Sequence, residues 1–503
     1  MIFQTLLTST IFLYCSSYVV FSSRLCKNNR QFYLKDKFVP VEKEKTITVK
    51  HDHNLFNQLT GFFGQIGSNP KHIDDDDYHW FDGDGMVHGI FFNNNSITYQ
   101  NKWVQTKRLQ VEDKWNKKMY LYFGELKGWQ GLINILKYSV MEIFGFLPPA
   151  RGTANTALFN WNNITYALHE GDMPYQLDID RSKCNISTVQ RLHYPSIKST
   201  TAHPIKDKLR NQVYLYGYNN YDFNYGRFIL NTFSKNMTLI SQQNFNLINN
   251  GMTHDVAFTG NNIIVPDMPL KYDVNLILQG HLPLHFDKEN GVTRFGVINV
   301  EKQEEPRWFY FDSNFFIFHF SNSYETHNKF IIFACVMDNL YMDDFVDLEN
   351  VENTEKVIRG KLRLKQIELD KVYSTTKIID NQYMENLPVS FPYNLDFPIK
   401  SNTNPNIIYC TIFDSSTGYI RGYTKINTYN FVNSIPSIYL FEDSLYGNSE
   451  PQVVTIDNIE YLLSFVNDDR HSYIALIDMD DKVIHKQEIK TRIPPGFHSI
   501  YYE

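Results

Sequence analysis

The chain has 503 residues and a mass of 59.2 kDa, which is enough for several small domains or for one large domain. It carries 48 basic and 55 acidic side chains, and this net charge of −7 excludes the basic field that a nucleic-acid-binding protein needs. Hydrophobic residues at 43% and charged residues at 20% indicate a globular protein, and aromatic residues at 15% favour β structure, because they fit the half-buried faces of sheets.

The N-terminus begins with an apolar segment, residues 1–23, that contains no charged side chain. It could be a cleaved signal peptide, a membrane anchor or an ordinary tail, but no Lys or Arg precedes it, as is usual in a signal peptide. Basic residues follow instead in a linker over residues 24–45: Arg24, Lys27, Arg30, Lys35 and Lys37. If the segment inserts, the positive-inside rule places the rest of the chain in the cytoplasm, so we favour membrane association over secretion.

The cysteines support the same compartment. The five of them are far apart and none has CxxC spacing: Cys15, Cys26, Cys184, Cys335 and Cys410. This pattern predicts neither a disulfide framework nor a thiolate zinc site, so we expect a reduced, cytosolic setting for the folded part.

One amphipathic helix is predicted between Glu125 and Pro148. Its apolar residues mostly recur at spacings of three and four, and Pro148-Pro149 is expected to end it. It could cap a β core, or it could present an apolar surface that dips into a membrane. The membrane-facing candidates are Trp129, Leu132, Ile133, Leu136 and Phe144.

From residue 46 to the C-terminus no linker divides the chain, and short aromatic runs recur between turn-forming residues. Examples are residues 212–218 (QVYLYGY), 308–320 (WFYFDSNFFIFHF), 406–413 (NIIYCTIF) and 461–466 (YLLSFV). Many short strands predict a closed all-β architecture such as a propeller, formed by residues 46–503 as a single domain. No clear internal sequence repeat supports this independently.

Several familiar catalytic motifs are absent, including the GxxxxGK[ST] phosphate loop, the GxSxG elbow and the HExxH zinc helix. The segment Asp82-Gly83-Asp84-Gly85 is better interpreted as a tight turn than as a calcium loop, because Asn93 lies where a bidentate Glu would be needed.

Four histidines have an unusual setting, because each lies within or at the edge of a strand-like segment: His203, His254, His319 and His498. On different propeller blades they could converge near the axis and bind a borderline metal such as Fe(II). Any one of them alone would more often be a hydrogen-bonded core histidine.

Residues 78–88 (YHWFDGDGMVH) resemble the signature near the start of the carotenoid cleavage oxygenases. The resemblance runs in order from about residue 50 to the C-terminus, through residues 67–70 (GSNP), 152–156 (GTANT), 396–398 (DFP) and 496–498 (GFH). Residues 124–128 (GELKG) and 152–158 (GTANTAL) are most similar to the plant-like members, which cut at 9,10 double bonds.

The resemblance implies a seven-bladed β-propeller with a helical and loop cap over its top face. It also implies one non-haem Fe(II) held by the histidines at the matching positions, His203, His254, His319 and His498. Three outer carboxylates would orient three of those rings: Glu170, Asp396 and Glu450. Asp396 is shorter than the Glu of many members, so we expect a shifted ring or a bridging water there; the pairing of carboxylates with histidines stays open.

The implied function is dioxygenase cleavage of a conjugated C=C bond of a carotenoid or apocarotenoid by O2, giving two carbonyl products. Because a polyene has few polar groups, we expect an apolar, aromatic-lined tunnel and a membrane surface as a partner. The alternatives are a stilbene-cleaving relative, a retinoid isomerase relative, and a non-catalytic carotenoid or lipid binder. The binder is disfavoured because all four candidate ligands and all three outer carboxylates are present.

Overall fold

The computed structural model describes residues 32–503 except 35, 52, 74–77, 150–151, 219–225, 303, 342–359, 386–392, 416 and 443. The predicted apolar segment 1–23 and residues 24–31 of the predicted linker therefore lie outside the described residues. Of the rest of that linker, Tyr33, Leu34 and Phe38 are buried and pack against Tyr78 and Tyr122. The strands begin directly after it, at Lys45.

The first half of the chain forms three antiparallel sheets from strands that are neighbours in sequence. The first sheet contains β1 (Lys45–Lys50), β2 (Gly61–Ser68), β3 (Gly85–Asn93) and β4 (Ser96–Trp103). The second contains β5 (Ala157–Trp161), β6 (Ile164–Leu168), β7 (Tyr175–Asp180) and β8 (Asn185–Arg191). The third contains β9 (Ile205–Asp207), β10 (Gln212–Tyr218), β11 (Gly226–Ser234) and β12 (Leu239–Leu247).

Two further four-stranded antiparallel sheets follow. The fourth sheet contains β13 (Ala257–Phe258), β14 (Asn262–Asp267), β17 (Arg294–Asn299) and β18 (Arg307–Tyr310). Between β14 and β17 the chain forms a separate two-stranded hairpin of β15 (Leu270–Tyr272) and β16 (Leu284–Phe286). The fifth sheet contains β19 (Phe316–Glu325), β20 (Lys329–Met337), β21 (Leu362–Asp370) and β22 (Thr376–Ile379).

The C-terminal part forms a sixth, larger sheet of nine strands. Its members are β23 (Tyr393–Lys400), β24 (Ile407–Asp414), β25 (Ile420–Asn427), β26 (Ser437–Leu440), β27 (Tyr446–Gly447), β28 (Gln452–Ile456), β29 (Ile459–Asn467), β30 (Ser472–Asp478) and β31 (Val483–Glu488). The last strand, β32 (Ser499–Tyr502), leaves this sheet and pairs with β2 in the first one. The two ends of the described chain are thereby joined, as the prediction of a closed β architecture requires.

The predicted strands agree with the structure except at one place. The run 212–218 is β10, while 406–413 and 461–466 lie almost wholly within β24 and β29. The run 308–320 was expected as one strand-like segment but forms two, β18 and β19, with a turn at residues 311–315. The two strands belong to different sheets, and Phe315 and Phe316 are both buried in the cluster that packs the fourth, fifth and sixth sheets together.

The helices are few and lie outside the sheets: α1 (Asn54–Asn57), α2 (Lys107–Trp115), α3 (Gly128–Ile143), α4 (Val274–Leu278) and α5 (Gln382–Glu385). The predicted helix of residues 125–147 corresponds to α3. It ends at Ile143, five residues before Pro148, because Gly145 adopts a left-handed conformation, with φ of 74°. The N–H of Gly145 donates to Glu142 O, and the N–H of Phe146 donates to Met141 O. These two hydrogen bonds form a Schellman cap.

Candidate metal centre

The four predicted histidines lie at or near the starts of strands that belong to four different sheets. His203 lies two residues before β9 and His254 three residues before β13, His319 lies near the start of β19, and His498 directly precedes β32. Three of these histidines therefore lie in the loops that lead into the strands, and only His319 lies within a strand. Each of the strands β9, β13, β19 and β32 is an edge strand of its sheet, and the four rings meet beside these edges.

The ring nitrogens of these histidines form one cluster. One ligand atom from each of the four lies within 4.8 Å of the others, and three of the residues are buried while His203 is half-buried. Nε2 of His254 lies 3.0 Å from Nε2 of His203 and 3.2 Å from Nε2 of His319. The His498 ring centroid lies 4.6 Å from that of His203 and 4.9 Å from that of His319.

The three predicted carboxylates each contact the outward nitrogen of one histidine. Glu170 Oε1 lies 2.5 Å from Nδ1 of His254, and Asp396 Oδ1 lies 2.9 Å from Nδ1 of His319. Glu450 Oε2 lies 3.2 Å from Nδ1 of His498. The pairing that the sequence left open is therefore one carboxylate to one ring. Asp396 reaches its ring directly, so the water bridge expected there is not found, whereas the expected shift of the ring stays a prediction.

These contacts decide which ring nitrogen faces the cluster as an acceptor. A neutral imidazole has one N–H, and a carboxylate at Nδ1 holds that hydrogen on Nδ1, so Nε2 carries a lone pair. His254 and His319 then point lone pairs at each other across 3.2 Å, an arrangement that a cation between them would stabilise. Four inward nitrogen donors, three of them oriented by carboxylates, are a donor set that fits a borderline divalent metal.

The pKa values of the rings follow from burial and from these carboxylates. Burial lowers the pKa of His203 well below its ordinary value, and it lowers that of His319 in spite of Asp396. Both rings therefore stay neutral at physiological pH, the form that binds metals. Burial also opposes the charged form of His254, but Glu170 outweighs it and raises the pKa. The burial of Glu170 is outweighed in turn by His254, which lowers the pKa of that carboxyl to about 2.

The loops that carry the histidines are tied together by groups that the sequence analysis did not single out. Asp255 Oδ2 accepts from the backbone N–H of Phe320, which joins the segments of His254 and His319. Tyr216 donates its hydroxyl to His254 O, and Thr201 Oγ1 accepts from the N–H of His203. The only sequence signal for Asp255 and Thr201 is that each lies one or two residues from a candidate histidine.

A cavity of about 440 Å³ extends from the cluster between the first strands of the sheets. Three of the histidines line one end of it. Residues of β5, β9, β13, β19 and β23 line the rest, among them Leu158, Phe159, Lys206, Phe258, Asn322 and Lys400. The lining therefore mixes polar and apolar side chains, unlike the apolar tunnel expected for a polyene.

The predicted membrane-facing residues lie on α3, and most of them are exposed. Trp129 is 71% exposed, Ile133 56%, Leu136 48% and Phe144 72%, whereas Leu132 is half-buried. Gly131 is the only buried residue of the helix, so α3 does not fill a β core. It contacts α4, which adds exposed Val274 and Leu278 to the same apolar surface. Among the described residues, no helix is both long and apolar enough to span a membrane.

Comparisons with known proteins identify the family of the chain. The family described as RPE65, retinal pigment epithelial membrane protein, matches residues 38–503. The chain belongs to this family. This assignment confirms the resemblance to carotenoid cleavage oxygenases, which rested on the motifs between residue 67 and residue 498.

Curated relatives and solved structures extend the match over nearly the whole chain. The chain is 26% identical to the carotenoid 9,10(9',10')-cleavage dioxygenase 1 of Pisum sativum, over 93% of this chain and 89% of the relative. It is 27% identical to the carotenoid 9,10(9',10')-cleavage dioxygenase of Crocus sativus, with 93% and 88% covered. The prediction that the chain is a dioxygenase of this family is confirmed.

Two solved structures have the same fold. The lignostilbene dioxygenase of Pseudomonas brassicacearum superposes with a TM-score of 0.75 at 18% identity, covering 93% of this chain and 98% of that one. The Synechocystis apocarotenoid oxygenase superposes with a TM-score of 0.71 at 18% identity, covering 92% and 96%. These likenesses confirm a mostly β, propeller-like fold.

Proposed function

We propose that the chain is a non-haem Fe(II) dioxygenase that cleaves a conjugated C=C bond of a carotenoid or apocarotenoid with O2 and releases two carbonyl products. The observation that carries the proposal is the four-histidine cluster with its three carboxylates, in a chain whose relatives are carotenoid cleavage dioxygenases. Metal-free binding of a lipid would give no reason to orient three imidazoles in this way.

His203, His254, His319 and His498 would hold the metal through the nitrogens that face one another. Glu170, Asp396 and Glu450 would fix the tautomer and raise the basicity of the rings they contact. When bound, Fe(II) supplies the redox chemistry that O2 needs to react with a double bond. Four neutral ligands favour an ion that keeps its positive charge and its remaining coordination positions.

We assign the fold as a seven-bladed propeller formed by residues 46–503 as a single catalytic domain. The five smaller sheets supply five blades, and the nine-stranded sheet divides into β23–β26 and β28–β31, with the two-residue β27 between them. The strand β32 supports closure of the ring in the first blade. The segments of α2, α3 and α4 would form the cap, because their flanking strands end and begin on the histidine side.

An apolar substrate fits the surroundings of the rings on that side. The Phe318 ring centroid lies 5.4 Å from that of His254, and the Phe397 ring centroid lies 5.0 Å from that of His319. Aromatic side chains can enclose a polyene in an apolar environment. The substrate would approach these rings beneath the cap, whereas the cavity described above would remain filled with water.

We further propose that α3 docks on a membrane surface, with the catalytic domain on the cytoplasmic side. Carotenoids reside in bilayers, and α3 presents exposed apolar side chains in the segment between β4 and β5 that we assign to the cap. A docked α3 would let an apolar substrate pass from lipid to the site without crossing water. Cys184, Cys335 and Cys410 are free thiols, which agrees with a reducing compartment.

The test uses a bacterial strain that accumulates carotenoids and expresses the full chain, the His254→Ala variant or a His193→Ala control. His193 is an exposed histidine outside the cluster. Pigments and volatiles are identified by chromatography and mass spectrometry, and metal content is measured on purified protein. We expect paired carbonyl fragments from the full chain and from the control, and none from His254→Ala.

Two results would contradict the proposal. Unchanged pigment with iron in the purified protein would indicate a stilbene or an isomerisation substrate instead. Unchanged pigment without iron would indicate the non-catalytic binder.

A further inference from the structure

The backbone at Phe397 has a conformation that a bulky side chain rarely adopts. Its φ is 46°, in the left-handed region that favours glycine, and it lies between Asp396 and Pro398 inside strand β23. Proteins retain such strain where the surrounding structure enforces it, and strained residues cluster at functional sites. The strain at Phe397 lies directly beside a residue that contacts a candidate metal ligand.

The strain coincides with a break in strand pairing. The register of β23 against β24 shifts between Asp396 and Ile399, so the ladder is interrupted across Phe397 and Pro398. In a regular strand, consecutive side chains point to opposite faces of the sheet. The irregularity removes that restriction, and Asp396 and Phe397 both reach His319.

The Phe397 ring is nearly buried and contacts two of the histidines. Its centroid lies 5.0 Å from that of His319, with the planes tilted by 42°, and 4.9 Å from that of His498, at 77°. Each of these imidazoles is held by one carboxylate, at Nδ1. The Phe397 ring packs against both imidazoles and so restricts the rotation about their side-chain bonds that a single contact leaves free.

We propose that Phe397 is a positioning residue that holds the imidazoles of His319 and His498 in the geometry for metal binding. The left-handed backbone at Phe397 allows two consecutive residues to contact His319, Asp396 through its carboxylate and Phe397 through its ring. The inference rests on the proposed function, because it concerns the same four-histidine site. It adds a role for a residue that does not ligate the metal.

The experiment uses the full chain with Co(II) as a probe, because the visible absorption of Co(II) reports the geometry of its ligands. Wild type, Phe397→Leu and a Phe413→Leu control are titrated with Co(II). The Phe413 ring centroid lies 5.6 Å from that of Phe397, so this replacement removes a phenyl ring that packs on Phe397 itself. Leucine keeps a side chain at the strained position, so the missing aromatic ring is the variable.

We expect Phe397→Leu to bind Co(II) about 10-fold more weakly and with an altered spectrum, as is typical when an orienting neighbour of a ligand is lost. Phe413→Leu should resemble wild type in both readouts. Circular dichroism verifies folding, and Phe397→Met serves as the second variant if Phe397→Leu does not fold.

Three results would overturn the inference. Wild-type affinity and spectrum in a folded Phe397 variant would mean that the ring does not position the histidines. An equal loss in Phe413→Leu would mean that general core packing is responsible. A wild-type chain that takes up no Co(II) would overturn the proposed function and this inference together, whereas the first two results leave the proposed function intact.

Discussion

At the scale of single residues, the carboxylates explain how three of the four histidines keep their inward orientation. An imidazole in a protein interior needs a partner for its N–H, and here the partners lie outside the cluster, at Glu170, Asp396 and Glu450. Each carboxylate satisfies its ring from the outer side and so turns the other nitrogen inward. The charge of the carboxylate also stabilises a cation bound by the ring.

We expect Glu170→Gln to weaken metal binding by about 10- to 100-fold, because the amide cannot fix the ring of His254 as a carboxylate does. The measurement is a titration of the purified chain with Fe(II) in the absence of O2. Glu460→Gln is the control, since the Glu460 carboxylate accepts from Ser401 and Tyr409 and not from a histidine. Equal affinity in both variants would remove Glu170 from the metal site.

The residue types of the site could be predicted from the sequence, but their pairing could not. The motifs place His319 and Asp396 at 77 residues apart, and nothing local indicates that their side chains meet. The direct contact depends on the register shift of β23, which is a property of strand pairing that a single sequence does not display. The structure brings the residues together, and their role as metal ligands stays a prediction.

At the scale of elements, α3 is amphipathic, and the described residues leave most of its apolar side chains exposed. The periodicity predicted the helix, but its C-terminal end is determined by Gly145 and not by Pro148. The same periodicity could not decide between core and surface, because both place apolar residues at spacings of three and four. Exposure decides it, since Trp129 and Phe144 are each more than two-thirds exposed.

We expect the combined variant Ile133→Glu, Leu136→Glu and Phe144→Glu to lose binding to lipid vesicles by at least about 100-fold, since each buried side chain of this size contributes about 1.5–3 kcal/mol. The measurement is co-sedimentation of the full chain with vesicles. All three side chains are exposed, so the change should leave the thermal midpoint as it is.

The control for α3 carries the same number of apolar-to-Glu changes on the opposite face: Leu209→Glu, Tyr429→Glu and Ile435→Glu. These residues are also strongly exposed, and they follow strands that run away from the histidines. Vesicle binding that drops equally in both combined variants would contradict docking through α3.

At the scale of the whole molecule, closure and the site depend on the same few residues. The segment that carries His498 continues directly into β32, where Phe62 pairs with Tyr502 and Gln65 with Ser499. The mostly β class could be predicted from aromatic runs and turn residues. The closing pair could not, because it joins residues at opposite ends of the chain, and such long-range pairing leaves no local pattern.

We expect deletion of residues 499–503 to lower the thermal midpoint by several degrees and to weaken metal binding. Without β32 the edge of β2 is unpaired and the buried Ile500 is lost, so the ends of the ring separate more easily. The segment of His498 would keep the backbone bonds that join it to Ile66, Asn448 and Glu450. Calorimetry and metal titration measure the two effects, and deletion of the exposed Glu503 alone is the control.

If the longer deletion melts at the same temperature as the control, β32 does not close the molecule. If it melts earlier but binds metal as tightly, closure is separable from the site, and the loop of His498 maintains its geometry independently.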